Sequence, residues 1–132
     1  MSEATPRPAF APGSHSITAY GQGAFAFAGM SHEGSILATP KGVRPIEATS
    51  VEDLDPAALA PLIAESAESP GSIEFVIVGT GEHLAPIPNA SRAALGQAGL
   101  RFEAMATGPA LRVYNVMQSE GRRVAAALIA AP

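Results

Sequence analysis

Apolar residues at Ala110, Val113, Tyr114 and Met117 recur at i, i+3, i+4 and i+7, the spacing of one buried face of an α-helix, while Arg112, Asn115 and Ser119 fall on another side. The limits of this helix are marked. Thr107 or Gly108 can supply the N-cap, Pro109 is tolerated in a first turn whose N–H groups lack helical partners, and Gly121 can take the left-handed conformation that ends it. Residues 124–130 follow as an apolar tract that reads as a buried strand. Arg122 and Arg123 come just after the negative end of the helix dipole, and Glu120, disfavoured there, predicts a local pair with one of them.

Upstream, residues 73–78 form a near-continuous apolar run bounded by glycines, as expected of a central strand covered on both faces. Residues 88–97 read as a helix stopped at Gly99, and 100–105 as a further strand. An earlier helix is capped by Asp53 or Asp55 and admits Pro56 in its first turn. It turns Leu59, Leu62 and Ile63 inward and closes at Ser69-Pro70-Gly71; Pro61 is expected to confine the regular helix to the turns after it. From Ser14 to Thr49 the pattern changes to short strands at 16–20, 24–27, 35–39 and 43–48, separated by Gly21-Gln22-Gly23 and Pro40-Lys41-Gly42. Phe25 and Phe27, two apart, share one face of that meander. Residues 1–13 are proline-spaced and read as a flexible tail, leaving 14–132 as a single domain. The expected fold is a three-layer α/β domain. A mixed central sheet is built from the second half, helices flank it, and the N-terminal antiparallel strands add an extra β layer, with Val76 and Leu128 in the core.

Composition narrows the function. At 132 residues, 47% hydrophobic and 15% charged, the chain suits one folded domain. Its net charge of -4 and eight scattered Lys plus Arg give no electrostatic footprint for nucleic acid. With no cysteine there is no disulfide, thiol nucleophile or thiolate metal site. The longest apolar tract is far shorter than the roughly 20 residues that span a bilayer, and the N-terminus lacks the pattern of a secretory signal, so a cytoplasmic location is expected.

Candidate chemistry is sparse. Gly79-Thr80-Gly81 follows a buried strand, where open α/β sheets often bind ligands. However, Leu84 occupies the third position of a dinucleotide fingerprint and no lysine follows as in a phosphate-binding loop, so the glycines are read first as a sharp turn. His15, His32 and His83 lack zinc spacing, no serine has a nucleophile-elbow setting, and Glu82 beside His83 has no evident partner for proton transfer. No metal or cofactor is expected. Arg112 and Asn115, three apart on one helix, can offer a guanidinium fork and an amide to one shared group. The competing reading is internal: a buried Arg112 paired with Glu120, beside a Tyr114 whose hydroxyl is hydrogen-bonded.

These same residues carry a family resemblance. Gly79-Thr80-Gly81, then Thr107, Ala110, Arg112, Tyr114-Asn115 and the run from Glu120 to Val124, resemble a small α/β domain-of-unknown-function family that includes mitochondrial complex I assembly factor 3. The N-terminal half joins in through Ala19-Tyr20-Gly21, Phe25, Phe27, Gly34-Ser35 and Pro40, so the likeness covers about residues 14 to 130. Val113 stands where the family pattern has threonine, and Ile46 where many members have tryptophan. The resemblance implies the same fold and a non-enzymatic interaction protein, an assembly or insertion factor for membrane-protein complexes. Its partner is a protein, and its association with the membrane is peripheral, through that partner. The alternative is a small-anion or metabolite binder, or an enzyme, using Gly79, Thr80, Gly81 and Thr107 with Arg112 and Asn115.

Overall fold

The computed structural model describes residues 11–131. In chain order its elements are β1 (Ala11–Pro12), β2 (Ala19–Gly21), β3 (Ala24–Phe27), β4 (Met30–Glu33), β5 (Ile36–Thr39), β6 (Gly42–Pro45), a 3-10 turn (Val51–Asp53), α1 (Pro56–Glu68), β7 (Phe75–Gly79), α2 (Asn89–Gln97), β8 (Phe102–Met105), α3 (Thr107–Ser119) and β9 (Val124–Leu128). The two most apolar strands, β7 and β9, pair in parallel at the centre of a six-stranded sheet of order β1-β6-β5-β9-β7-β8. β8 continues the parallel half, and β5, β6 and β1 form an antiparallel half.

The alternation of a strand explains the two cores. Ile77, Val124, Ala126 and Leu128 point to one face, where they meet α3 through Ala110, Leu111 and Tyr114 and the N-terminal strands through Phe25 and Phe27. Val76, Val78, Ala125 and Ala127 point to the other, where Leu59 and Leu62 of α1 and Leu95 of α2 cover them. The chain runs β7–α2–β8 on one face and returns β8–α3–β9 on the other. Right-handed crossovers in opposite lateral directions must place their helices on opposite faces.

The expected three-layer α/β architecture is present, with its extra layer formed by the separate antiparallel sheet β2-β3-β4. Several details differ. The central sheet draws β1, β5 and β6 from the N-terminal half, because Ile36, Leu37 and Ala38 are wholly buried and need cover on both faces. β4 was not expected, since Met30, Ser31, His32 and Glu33 show no apolar alternation. It forms because Gln22-Gly23 and Ala28-Gly29 all adopt positive φ, making two-residue turns whose twist suits hairpins. The expected tail ends sooner than residue 13: Ala11 and Pro12 pair with Val43 and Gly42, and Ala11 is buried. Residues 1–10 lie outside the described residues. Pro61 does not delay α1, which starts at Pro56, capped by Asp55 through the Ala58 N–H at 2.9 Å. Because Pro61 lies only two residues past the first turn, it forfeits one early helical hydrogen bond.

Val76 and Leu128 are fully buried on paired strands but belong to opposite faces. Val76→Ala and Leu128→Ala are therefore each expected to cost about 2–4 kcal/mol in denaturant unfolding, through lost burial and the cavity left behind. Separate cores predict near-additive losses in the double variant.

Candidate functional site

β7 exits toward α2 on one face and β8 exits toward α3 on the other, so a topological switch point lies between their C-terminal ends. Ligand crevices in open α/β sheets open at such points. Gly79, Thr80, Gly81 and Thr107 all meet here. The Thr80 N–H donates to the Met105 carbonyl (2.9 Å) and the Thr107 N–H to the Gly81 carbonyl (2.8 Å). The Gly81 N–H in turn donates to Thr107 Oγ1 (2.8 Å), and that hydroxyl donates to the Ile129 carbonyl (2.8 Å) beyond β9. Thr107 is fully buried and saturated by these contacts. Thr80 Oγ1 donates to the His83 carbonyl at 2.7 Å and accepts from the Ala85 N–H at 3.1 Å, bending the loop back on itself.

The two glycines serve this closure in different ways. A Cβ on Gly79 would lie 2.9 Å from Thr107 Oγ1 and 3.0 Å from both Leu128 Cδ2 and Thr107 Cα, so a side chain would push α3 off the sheet. Gly81 has φ +107°, a conformation that L side chains rarely adopt. Thr107 is not the expected N-cap. Ala106 holds that position, and the Thr107 hydroxyl is spent across the crevice instead of on its own helix.

Asn115 does not join Arg112 at a shared group. Its Oδ1 accepts the Ile17 N–H at 2.8 Å and its Nδ2 donates to the Ile17 carbonyl at 2.6 Å, so the amide stands in for a neighbouring strand. Tyr114, fully buried, donates its hydroxyl to the His15 carbonyl at 2.9 Å. Burial pushes its phenol up to about 12. Together these side chains fasten residues 15–17 to α3, contacts spanning about a hundred residues of chain that spacing alone does not reveal.

Arg112 is exposed, not buried against Glu120. The arginine expected to answer Glu120 turns elsewhere: the Glu74 carboxylate accepts Arg122 Nη2 at 3.2 Å and the Arg123 N–H at 3.0 Å, contacts that hold its pKa below the usual carboxylate value. The helix end is closed by the Arg122 N–H to the Met117 carbonyl and the Gly121 N–H to the Gln118 carbonyl, with Gly121 at φ +78°, and by the Ser119 hydroxyl, which donates to the Val116 carbonyl at 2.8 Å. The apolar face of α3 also rotates from the expected one. Leu111 is buried, whereas Val113 is 37% and Val116 56% exposed. The outer stripe thus reads Pro109, Arg112, Val113, Val116, Ser119 and Glu120.

Two concavities lie elsewhere on the surface. One of about 590 Å³ runs from Arg44 and Ile46 to Ala57 and Pro61, and one of about 620 Å³ borders Phe102 and Glu103. Among the described residues, no group of three His, Asp or Glu side chains is arranged to hold a metal ion, and no helix is long and apolar enough to cross a membrane.

Comparison with known proteins yields a consistent set of relatives. The model of a family described as proteins of unknown function (DUF498/DUF598) matches residues 17–129. An uncharacterized protein of Rhodobacter capsulatus is 38% identical over 125 residues, 95% of this chain and 91% of that protein. A crystal structure of an outer membrane protein from Bartonella henselae superposes with a TM-score of 0.84 at 37% identity, covering 92% of this chain and 98% of that one. An NMR structure of a Rhodopseudomonas palustris protein gives 0.77 at 41% identity, over 96% and 91% of the two chains.

Two outcomes follow from the closed crevice and the buried phenol. Thr107→Val removes the acceptor of the Gly81 N–H and the donor to Ile129, and should destabilise by about 2–4 kcal/mol, whereas Thr107→Ser, which keeps both bonds, should lose clearly less. Equal losses in chemical denaturation would contradict the role given to the hydroxyl. For Tyr114, a folded pKa above the unfolded value near 10 means that its contribution is whole below pH 10 and is lost as pH rises through about 12. The stability gap between the native protein and Tyr114→Phe should therefore narrow by on the order of 2–3 kcal/mol across that window. A gap independent of pH would show the phenol to be readily ionised in place.

Proposed function

The chain belongs to this family of proteins of unknown function (DUF498/DUF598), and from that premise we propose that it is a non-enzymatic interaction protein whose working surface is the outer face of α3. The single observation that carries this reading is how the polar groups near the switch point are used. Gly81, Thr80, Thr107 and Asn115 are hydrogen-bonded within the protein itself, while Arg112, with no ion pair among the described residues, lies exposed beside Val113 and Val116. A guanidinium flanked by exposed apolar side chains is the composition of a protein-binding hot spot, and arginine is enriched at such positions. The family resemblance supplies the class of partner. It is a subunit of a membrane-protein complex, approached from the cytoplasmic side during assembly or insertion.

Affinity capture from native lysate should recover one specific protein partner. Arg112→Ala and Val116→Asp, both on the surface, should leave stability within about 1 kcal/mol while abolishing recovery of that partner. Retained capture by both variants would move the interaction surface off α3. Saturable phosphate or nucleotide binding that Arg112→Ala abolishes would instead favour the small-anion reading with Gly79, Thr80, Gly81 and Thr107.

A further inference from the structure

We propose that the free edge of β8 is a homodimer seam, to which a second copy of this chain adds its own β8 antiparallel about a two-fold axis at Phe102. Among the described residues β8 is the terminal strand of the parallel half of the sheet, bonded on one side only, to β7. The Val76 N–H donates to the Arg101 carbonyl and the Thr80 N–H to the Met105 carbonyl. In the parallel register this turns the backbone of Arg101, Glu103 and Met105 toward β7 and leaves the N–H and C=O of Phe102 and Ala104 pointing outward. An edge of this kind is a template for another strand.

Charge selects the occupant and the register. Arg101 and Glu103 are both exposed, two apart on one face, and neither has an ion pair among the described residues. With the axis at Phe102, Arg101 of each copy stands directly opposite Glu103 of the other, giving two cross-strand ion pairs from one two-fold operation. On the other face, Phe102 meets its symmetry mate. Arg92, whose guanidinium carbon lies 5.6 Å from the Phe102 ring centroid, packs behind it. Shifting the axis one residue to Glu103 sets Glu103 against itself, a like-charge pair that disfavours this alternative. The surface beside the edge, a groove of about 620 Å³ lined by Phe75, Leu100, Arg101, Phe102 and Glu103, is open to receive the second copy. In this register Ala104 faces Leu100 of the other copy, whose N–H is already donated to the Leu95 carbonyl, so the seam uses the Phe102 N–H and C=O, the Ala104 N–H and two ion pairs. It is small, and the dimer should populate only between about 1 µM and 1 mM. The seam uses none of the residues of the outer stripe of α3 and stands independently of the function proposed for that face.

Sedimentation equilibrium of the full chain from 1 µM to 1 mM is the test, joined to amide exchange by NMR at both ends of the range. The expected result is a concentration-dependent dimer in which the Phe102 and Ala104 amides become at least tenfold slower to exchange. Arg101→Glu and Glu103→Arg should each weaken association tenfold or more with unchanged melting temperature, and the double exchange Arg101→Glu with Glu103→Arg should restore it. A monomer at 1 mM, a dimer in which the Phe102 and Ala104 amides exchange as in the monomer, or a double exchange no better than either single one would overturn the proposal.

Discussion

Everything in this domain depends on how closely α3 can approach the central sheet, and that distance is set where Thr107 meets Gly79. There is no room for a Cβ on Gly79, and the Thr107 hydroxyl bridges the Gly81 amide to the Ile129 carbonyl. The end of β7, the start of α3 and the end of β9 are thereby tied at one buried atom. Alanines in β9 continue the same logic. Ala125, Ala126 and Ala127 are poor strand formers by intrinsic preference, but their small side chains let helices settle on both faces of a fully buried strand. At the far side of α3, the Asn115 amide and Tyr114 hydroxyl extend that order to residues 15–17, so the helix links the sheet to the N-terminal layer.

A switch point between parallel strands usually provides a crevice, and here internal hydrogen bonds occupy it. Residues of the kind that bind ligands elsewhere, glycines after a strand, a threonine at a helix start and an asparagine beside an arginine, are engaged with the protein's own backbone. The proposal of surface recognition rests on this engagement. The exposed cation and two valines on α3 and the edge of β8 are the two surfaces on which the proposals of a protein partner and of a second copy rest.

Much of the architecture was legible from the sequence, because long apolar runs and helix boundary signals report directly on local structure. β7 and β9 follow from the apolar runs at 73–78 and 124–130, and α2 and α3 from stops at Gly99 and Gly121, signals that act within a few residues of themselves. What escaped was either locally silent or long in range. β4 carries no apolar alternation, and its pairing depends on Ala28 accepting positive φ, a conformation the sequence gives little reason to expect. The partners of Asn115 and Tyr114 lie near residue 16, and Arg122 chooses Glu74 over Glu120, choices made by tertiary packing. Spacing puts Val113 on the buried stripe and leaves Leu111 out of it; the position of the sheet reverses the two.

The central claim is that the crevice between β7 and β8 is a structural lock. Native-state hydrogen exchange at the Gly81 amide tests it most directly, since that proton is held by the Thr107 hydroxyl alone. If the lock is part of the fold's core, Gly81 should exchange only by global unfolding, with an opening free energy equal to that of the slowest amides in β7 and β9. Exchange through a local opening several kcal/mol easier than global unfolding would contradict the account and mark the crevice as a site that opens to admit a ligand.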